Sequence, residues 1–209
     1  MMKTPIAVLF SGRGSNLKSL IDACAAPDFP ATIVLAATDK PEAGGLAHAA
    51  NAGIPVAVVD RKAYGDRATF EAALDKAVRA SGAELICLAG FMRILSGTFV
   101  AAWVDAILNI HPSLLPAFRG LDTHARALAA GAKIAGITVH IVTEELDDGP
   151  ILAQAAVAVR PDDTPETLAA RTLAAEHRLY PAALAQHLMP REATDYGKTL
   201  FSPPLPDEG

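Results

Sequence analysis

Short apolar runs alternate with helical patterns through the first half of the chain, and this alternation limits the fold more than any other feature. The runs that have the length of buried strands are residues 6–10, 32–37, 55–59 and 85–89. Between them, apolar side chains recur at helical spacing in residues 15–24, 45–52 and 66–81. Strands that alternate with helices form parallel sheets with helices on both faces. The first half is therefore predicted to be a doubly wound parallel sheet.

The second half of the chain departs from this alternation. Residues 106–110 form a further apolar run, and residues 123–130 have a helical pattern. Two strand patterns follow at residues 136–142 and 151–159, and the loop between them predicts an antiparallel hairpin. Thr164 begins a last helix, predicted to end near Tyr180 or somewhat beyond. The expected fold class is α/β, a doubly wound, mostly parallel, Rossmann-like sheet with an antiparallel hairpin added in the C-terminal half.

Composition restricts the class of protein. With 51% hydrophobic and 20% charged residues, the chain of 209 residues is expected to form one globular domain over residues 1–190, followed by a tail over residues 191–209. The net charge is −5 and no run of Lys or Arg occurs, which argues against nucleic acid or an anionic membrane as a partner. Cys24 and Cys87 fit apolar positions without neighbours that would activate a thiol. The N-terminus has no signal-peptide pattern, so a cytoplasmic protein is expected.

A glycine-rich turn follows the first strand pattern. The sequence S-G-R-G-S-N of residues 11–16 connects that strand to the first helix. Glycines let the backbone approach an anion, and the free amides at the start of a helix point toward it. The spacing is not that of dinucleotide or nucleoside triphosphate loops, so a monophosphate is the ligand that fits. A plain tight turn into a helix has the same pattern, and the spacing alone does not separate the two.

Polar residues begin where the strand pattern at residues 106–110 ends, in the sequence N-I-H-P-S-L-L-P of residues 109–116. Asn109 and His111 are two residues apart, so on a strand their side chains point to the same face. An amide donor beside a titratable imidazole suits a reaction in which a carbonyl oxygen gains negative charge while a proton moves. Alternatively, Asn109 caps the loop backbone and His111 packs under the prolines.

The loop at residues 143–150, T-E-E-L-D-D-G-P, carries four acidic residues. A carboxylate that reached His111 would stabilise its imidazolium form and order a water molecule. Four acids in one loop are also typical of a solvated surface. A divalent metal bound by these acids and His140 is not expected, because no established metal-ligand spacing is present. His140 itself is expected on the surface or in the core of the hairpin.

Five short motifs occur together along the chain. They are S-G-R-G-S-N at residues 11–16, L-A-G-F-M-R-I-L at 88–95, N-I-H-P-S-L-L-P at 109–116, L-D-D-G-P at 146–150, and E-H with Y-P at 176–177 and 180–181. In this order and spacing, from about residue 6 to residue 181, they resemble the glycinamide ribonucleotide formyltransferases, the folate-dependent enzymes of purine synthesis. The resemblance implies the formyltransferase fold. It also implies transfer of a formyl group from 10-formyltetrahydrofolate to the amino group of glycinamide ribonucleotide, without a metal.

The resemblance implies roles for individual residues. Asn109 would bind the oxyanion, His111 would donate the proton, and Asp147 would tune the histidine. The residues implied to bind the folate cosubstrate are Arg67, Met92, Arg93, Ile94, Leu95, Asn109, Thr143, Glu144, Glu145, Leu146 and Asp147. Those implied to bind the ribonucleotide are Gly14, Ser15, Asn16 and Glu176. The phosphate-binding half would cover residues 1–105 and the folate-binding, catalytic half residues 106–190, in a monomer or homodimer.

Three positions depart from the family pattern: Arg13 where Asn is frequent, Asp122 where His is common, and Leu173 where a polar residue is expected. Two other enzymes share the Asn-x-His element. Formyltetrahydrofolate hydrolase usually has an extra N-terminal regulatory domain, and methionyl-tRNA formyltransferase an extra basic C-terminal domain, and neither fits in this chain. A catalytically silent sensor of nucleotide phosphates is an alternative of another class. A sensor has no need of an oxyanion donor beside a proton donor, which argues against it.

Overall fold

The structure is a computed structural model that describes residues 2–189. Its strands, β1 to β7, are Thr4–Phe10, Ala31–Thr38, Val56–Val58, Leu85–Leu88, Ile107–His111, Ile134–Ile141 and Ile151–Ala158. They form one seven-stranded sheet in the order β3-β2-β1-β4-β5-β6-β7. Neighbours from β3 to β5 pair in parallel, whereas β6 pairs antiparallel with β5 and β7 antiparallel with β6. The α/β prediction, including the antiparallel hairpin, is confirmed.

Helices cover both faces of this sheet. The helices, α1 to α6, are Ser15–Cys24, Gly45–Asn51, Arg67–Ala80, Gly97–Ala101, Thr123–Ala129 and Pro165–Leu188. The sequence did not predict α4, because five residues are too few to show a helical period; its N-cap is Ser96, whose hydroxyl accepts a hydrogen bond from the Phe99 amide. The last helix continues through Pro181 to Leu188, beyond Tyr180. The tail expected at residues 191–209 lies outside the described residues.

The core has two layers, one on each face of the sheet. Successive side chains of a strand point to opposite faces, so Ile6, Val8 and Phe10 of β1 belong to one apolar cluster while Ala7 and Leu9 belong to the other. The first cluster also contains side chains of α1 and α6, and the second contains side chains of α3 and α4. The central strands are thus buried on both faces, as the continuous apolar runs predict.

Both cysteines lie in this core region as expected. Burial raises the pKa of the half-buried Cys24 thiol to about 11, although nearby Lys3 lowers it slightly. Cys87 is fully buried and its pKa is raised further by the same cause. Neither thiol is ionised near neutral pH, so neither is an activated nucleophile.

Tyr180 ties the last helix to the middle of the sheet. Its side chain is fully buried, and its hydroxyl lies 3.1 Å from the carbonyl oxygens of both Leu88 and Leu108. Leu88 ends β4, and Leu108 immediately precedes Asn109 on β5. The hydroxyl therefore joins the carboxyl end of β4 to the first half of β5, next to Asn109.

Gly149 closes the loop between β6 and β7 so tightly that it accepts no side chain. A Cβ atom added there would lie 1.8 Å from the Ile141 carbonyl oxygen, which belongs to the backbone and cannot swing away. We expect Gly149→Ala to lower the free energy of unfolding by about 1–3 kcal/mol, as overpacking of a rigid site does. Urea unfolding monitored by circular dichroism measures this. The matched control is Gly65→Ala, where the added Cβ meets nothing within 4 Å and the φ angle is not positive; an equal loss there would contradict the argument.

Candidate active site

The carboxyl ends of β1, β4 and β5 meet at one edge of the sheet, as the parallel order requires. The loops after β1 and β4 touch directly. The Ser11 amide donates to the Gly90 carbonyl at 3.1 Å, and the Met92 amide donates to the Ser11 hydroxyl at 2.8 Å. The glycine-rich turn and the residues that follow β4 therefore belong to the same surface.

Asn109 is oriented by a histidine on the neighbouring strand. The antiparallel register of β5 and β6 places His140 opposite Asn109, and the Asn109 Nδ2 atom lies 3.1 Å from His140 Nε2. The other ring nitrogen, His140 Nδ1, lies 3.0 Å from the Ile141 carbonyl oxygen, which can only accept a hydrogen bond. The proton of a neutral ring must therefore be on Nδ1, so that Nε2 accepts from the Asn109 amide.

The environment of His140 favours that neutral ring. Its pKa is lowered, mainly by burial and also by the positive charge that His111 can carry. The Ile141 carbonyl and the Asp147 carboxylate raise the pKa, but they do not reverse the shift. With one Nδ2 hydrogen bonded to His140, the second remains as a donor toward a ligand. Sequence reasoning left His140 without a role in the site, because its position opposite Asn109 depends on strand register.

His111 and Asp147 form the second half of the centre. Both are buried, at 5% and 9% exposure, and His111 Nδ1 lies 3.4 Å from Asp147 Oδ2. On the other side of the ring, His111 Nε2 lies 3.1 Å from the Phe118 carbonyl oxygen. Because a carboxylate and a carbonyl both accept hydrogen bonds, an imidazolium with a proton on each nitrogen satisfies both contacts.

Asp147 lies between the two histidines. Its Oδ2 atom accepts a hydrogen bond from the Gly120 amide at 2.9 Å, and its Oδ1 atom lies 3.8 Å from His140 Nε2. Its φ angle is +51°, in the left-handed region that Asp tolerates better than most residues. The other three acids of the loop, Glu144, Glu145 and Asp148, are exposed. A solvated surface therefore describes three of the four acids, and Asp147 is the exception.

The glycine-rich turn leads into α1 with a left-handed residue. Gly14 has φ +76°, and a Cβ atom there would lie 2.5 Å from the Cα atom of Gly45. Only glycine allows α1 to start so close to α2. The first amide that bonds within the helix is that of Lys18, to the Gly14 carbonyl at 2.8 Å, which leaves the amides of Ser15 and Asn16 available to a ligand.

The side chain of Asn16 connects this turn to the last helix. Its Nδ2 atom donates to Glu176 Oε2 at 2.6 Å, and both residues are buried. Burial raises the pKa of the Glu176 carboxyl, and the hydrogen bond from Asn16 partly opposes that shift. The Asn16 Oδ1 atom is buried without a hydrogen-bond partner. A buried carboxylate and an unused amide oxygen therefore lie next to the start of α1, ready for a polar ligand.

The segment after β4 presents apolar side chains to solvent. Met92 and Ile94 are 62% and 64% exposed, whereas Leu95 is buried. Between them, the Arg93 Nε atom donates to the Oδ2 atom of the buried Asp39 at 2.6 Å. Exposed apolar side chains at the edge of the sheet are suited to a flat, partly apolar ligand.

The loop between β6 and β7 lies beside this segment. A Cβ atom added to Gly97 would lie 2.6 Å from Glu144 Oε1, so this loop rests on the start of α4, directly after Leu95. Leu146 is 49% exposed in the same loop. Thr143 donates its hydroxyl to the Glu145 carbonyl within the loop.

Arg67 is held at the start of α3, as expected. Its Nε atom lies 2.9 Å from Glu71 Oε1, and the buried Glu71 also accepts hydrogen bonds from the amide and the hydroxyl of Ser96. Arg67 is thus anchored to the cap of α4, next to the segment that carries Met92 to Leu95. About half of its side chain remains exposed and able to meet an anionic group.

The three residues that depart from the family pattern lie outside these contacts. Arg13 is exposed, Leu173 is partly exposed on α6, and Asp122 precedes α5 with φ +56° and makes no capping hydrogen bond with its side chain. Within residues 2–189, no group of three or more His, Cys, Asp or Glu side chains is arranged to hold a metal ion. In that same range, no helix is both long and apolar enough to cross a membrane.

Comparisons with known proteins agree with this geometry. Residues 4–184 match the model of the formyl transferase family. The chain is 44% identical over 179 residues to the phosphoribosylglycinamide formyltransferase of Haemophilus influenzae, covering 86% of this chain and 84% of that protein. It is 52% identical over 182 residues to the trifunctional purine biosynthetic protein adenosine-3 of Gallus gallus, and those residues make up 87% of this chain but only 18% of that longer protein.

A solved structure gives the same relationship. The phosphoribosylglycinamide formyltransferase of Brucella melitensis superimposes with a TM-score of 0.86 at 54% identity, over 91% of this chain and 98% of that one. The same overall fold therefore occurs in a solved chain that aligns with this one over nearly its full length. The chain belongs to the formyl transferase family and, within it, to the phosphoribosylglycinamide formyltransferases.

Proposed function

We propose that this protein transfers the formyl group of 10-formyltetrahydrofolate to the amino group of glycinamide ribonucleotide. The proposal is supported most by one observation: the half-buried Asn109 and the buried His111 both lie at the end of β5, with His140 and Asp147 beside them. An amide donor and a protonated imidazole can both meet a carbonyl oxygen that gains negative charge. No activated thiol accompanies them, which suits direct attack by the acceptor amine.

We assign the chemical steps to this chain's own residues. Asn109 donates its free Nδ2 hydrogen to the oxyanion that forms when the amine attacks the formyl carbon. His111 keeps its Nδ1 contact with Asp147, and its Nε2–H, released from the Phe118 carbonyl, stabilises the same oxyanion and supplies the proton that the departing folate nitrogen needs; the attacking amine loses one proton in turn, which restores the protonated ring. Asp147 orients the His111 ring through its contact with Nδ1. These contacts tighten when both substrates are bound.

Two binding surfaces on either side of this centre complete the proposal. The amides of Gly14, Ser15 and Asn16 bind the ribonucleotide phosphate, and Glu176 binds its ribose or glycinamide end. The folate lies along the exposed apolar segment from Met92 to Leu95 and the loop from Thr143 to Asp147. Arg67 meets the carboxylate tail of the folate. In this scheme residues 1–190 form one domain, the substrates are small molecules, no metal takes part, and the enzyme acts as a monomer or homodimer in the cytoplasm.

The test is a transfer assay with purified protein. Formylated folate and glycinamide ribonucleotide are mixed with the protein, and deformylated folate is followed by absorbance with and without the ribonucleotide. We expect deformylation that depends on the acceptor. Release without the acceptor would indicate a hydrolase, and binding of the ribonucleotide without any turnover would indicate a phosphate sensor.

Glu176→Gln is expected to raise thermal stability at high pH while it weakens ligand binding. The raised pKa of Glu176 means that the folded state holds its proton more tightly than the unfolded state, so its contribution favours folding at acid pH and is lost as pH rises through the folded pKa. Gln has no charge to bury and can still accept the Asn16 hydrogen bond. We therefore expect the variant to have the same Tm as wild type near pH 4, and a higher Tm near pH 8.

The same substitution should weaken ribonucleotide binding. A hydrogen bond to a charged group contributes about 1.5–3 kcal/mol, so we expect the Kd for the ribonucleotide to rise roughly tenfold or more. Differential scanning fluorimetry and isothermal titration calorimetry measure the two effects. A Tm that falls at pH 8, or an unchanged Kd, would contradict this account of Glu176.

A further inference from the structure

Two loops supply the contacts that hold His111 and Asp147, and one ion pair joins them. The first loop follows β5 and contains Phe118, Arg119 and Gly120. The second joins β6 to β7 and contains Asp147 and Asp148. The guanidinium of Arg119 pairs with the carboxylate of Asp148, and both side chains are a little over two-fifths exposed, at 41% and 46%.

This ion pair lies between the contacts that position the two buried side chains. Arg119 is flanked by Phe118, whose carbonyl oxygen lies 3.1 Å from His111 Nε2, and by Gly120, whose amide donates to Asp147 Oδ2 at 2.9 Å. On the other loop, Asp148 immediately follows Asp147. A change in the distance between Arg119 and Asp148 is therefore transmitted through one peptide unit to each contact.

The backbone on both sides of the ion pair is in a conformation that needs support. Phe118 has φ +55° and Asp147 has φ +51°, and non-glycine residues keep such angles only where surrounding contacts hold them. On the side of α5, Arg126 supports the turn by donating to the Arg119 carbonyl at 2.5 Å and to the Leu121 carbonyl at 3.3 Å. On the side of the hairpin loop, side-chain support for this turn comes from the Arg119 pair and the Asp147 carboxylate.

We propose that the Arg119–Asp148 ion pair is a positioning contact for formyl transfer, because it fixes the turn at Phe118–Gly120 against the loop that carries Asp147. The proposal rests on the proposed function. An exposed ion pair contributes little to the free energy of unfolding, so its effect belongs to the reaction and not to global stability. Small displacements of reacting groups, by contrast, change rates strongly.

The test is a double-mutant cycle with Arg119→Ala, Asp148→Ala and the double variant. We expect each single variant to lower kcat roughly five- to tenfold with KM within about twofold and Tm nearly unchanged, because the groups are displaced and not removed. The double variant should lose no more than either single one, since both remove the same contact. Arg119→Lys keeps the charge and should retain most of the activity.

The matched control is Asp22→Ala, which breaks an exposed ion pair with Lys18 on α1 and should leave kcat unchanged. Single variants with wild-type kcat, or a double variant whose loss is the product of the single losses, would overturn the proposal.

A second measurement does not depend on turnover. A ring N–H of His111 bonded to a buried carbonyl or carboxylate should give a downfield proton NMR signal, identified by its loss in His111→Gln. We expect this signal to broaden or vanish in both alanine variants and to persist in Asp22→Ala. An unchanged signal in the alanine variants would overturn the proposal about the ion pair, whether or not the wild-type protein transfers formyl groups. Absence of transfer by the wild-type protein would instead contradict the proposed function.

Discussion

Replacing Asn109 with alanine is expected to lower kcat roughly a hundredfold or more. The Nδ2 atom of Asn109 uses one hydrogen for His140, and the other is free for the oxyanion of the formyl group. Loss of one preorganised donor to an oxyanion typically raises the barrier by about 3 kcal/mol. The variant should still bind both substrates, because the glycine-rich turn of residues 11–16 and the segment after β4 are unchanged. Steady-state kinetics with a separate measurement of ribonucleotide Kd checks both statements.

Two further substitutions make this result specific. Asn109→Asp has nearly the same shape but replaces the donor with a carboxylate that repels the oxyanion, so we expect it to be at least as damaging as alanine. His140→Gln keeps an acceptor for the Asn109 amide and should cost much less than either. If Asn109→Ala retained wild-type kcat, the oxyanion role of this residue would be wrong.

Replacing His111 with alanine is the second large effect that we expect. In the proposed mechanism the imidazole both stabilises the oxyanion and supplies a proton, and removal of a general acid typically lowers a rate by roughly 10²- to 10⁴-fold. His111 contacts Asp147 and the Phe118 carbonyl and does not contact the glycine-rich turn. The loss of activity should therefore appear in kcat and leave ribonucleotide binding nearly unchanged.

The control for this prediction is His124→Gln. The His124 imidazole contacts the Thr172 hydroxyl at 2.8 Å, and its pKa is lowered mainly by burial. The substitution therefore removes a nearby histidine that has a different set of partners. A loss in His124→Gln as large as in His111→Ala would argue that any change near this edge disables the enzyme. Single-turnover measurements distinguish slow chemistry from slow product release.

The fold followed from the sequence because its signals are local. Apolar runs such as that of β1 and helical periods such as that of α3 appear within ten or fifteen residues, and their alternation determines the parallel order. The helix α4 was missed because five residues do not complete two turns. The end of α6 was predicted only as near Tyr180 or somewhat beyond; the buried Ala183 and Leu184 keep its apolar face in the core, and the helix continues to Leu188.

The site was only partly visible in the sequence, for a physical reason. Asn109 and His111 share a strand, so their spacing alone predicts that they share a face. Asp147 stood among four acids in one loop, and charge pattern did not distinguish the buried one; only the resemblance to known formyltransferases did. His140 was left without a role because strand register, which places it opposite Asn109, involves residues more than thirty positions apart. The Arg119–Asp148 ion pair joins two loops 29 positions apart, so it was not visible in the sequence either.

The attachment of Tyr180 to the carbonyl groups of Leu88 in β4 and Leu108 in β5 has a consequence for how the protein folds during translation. The strand β4, the segment with Met92 that follows it, and β5 with Asn109 leave the ribosome before the helix with Glu176 and Tyr180, which lies near the end of the described chain. Until that helix docks, the carbonyl groups of Leu88 and Leu108 lack the Tyr180 hydroxyl as a donor. Asn16, in the glycine-rich turn, likewise lacks the Glu176 carboxylate. A nascent chain therefore cannot complete these contacts until α6 has been synthesised and has docked.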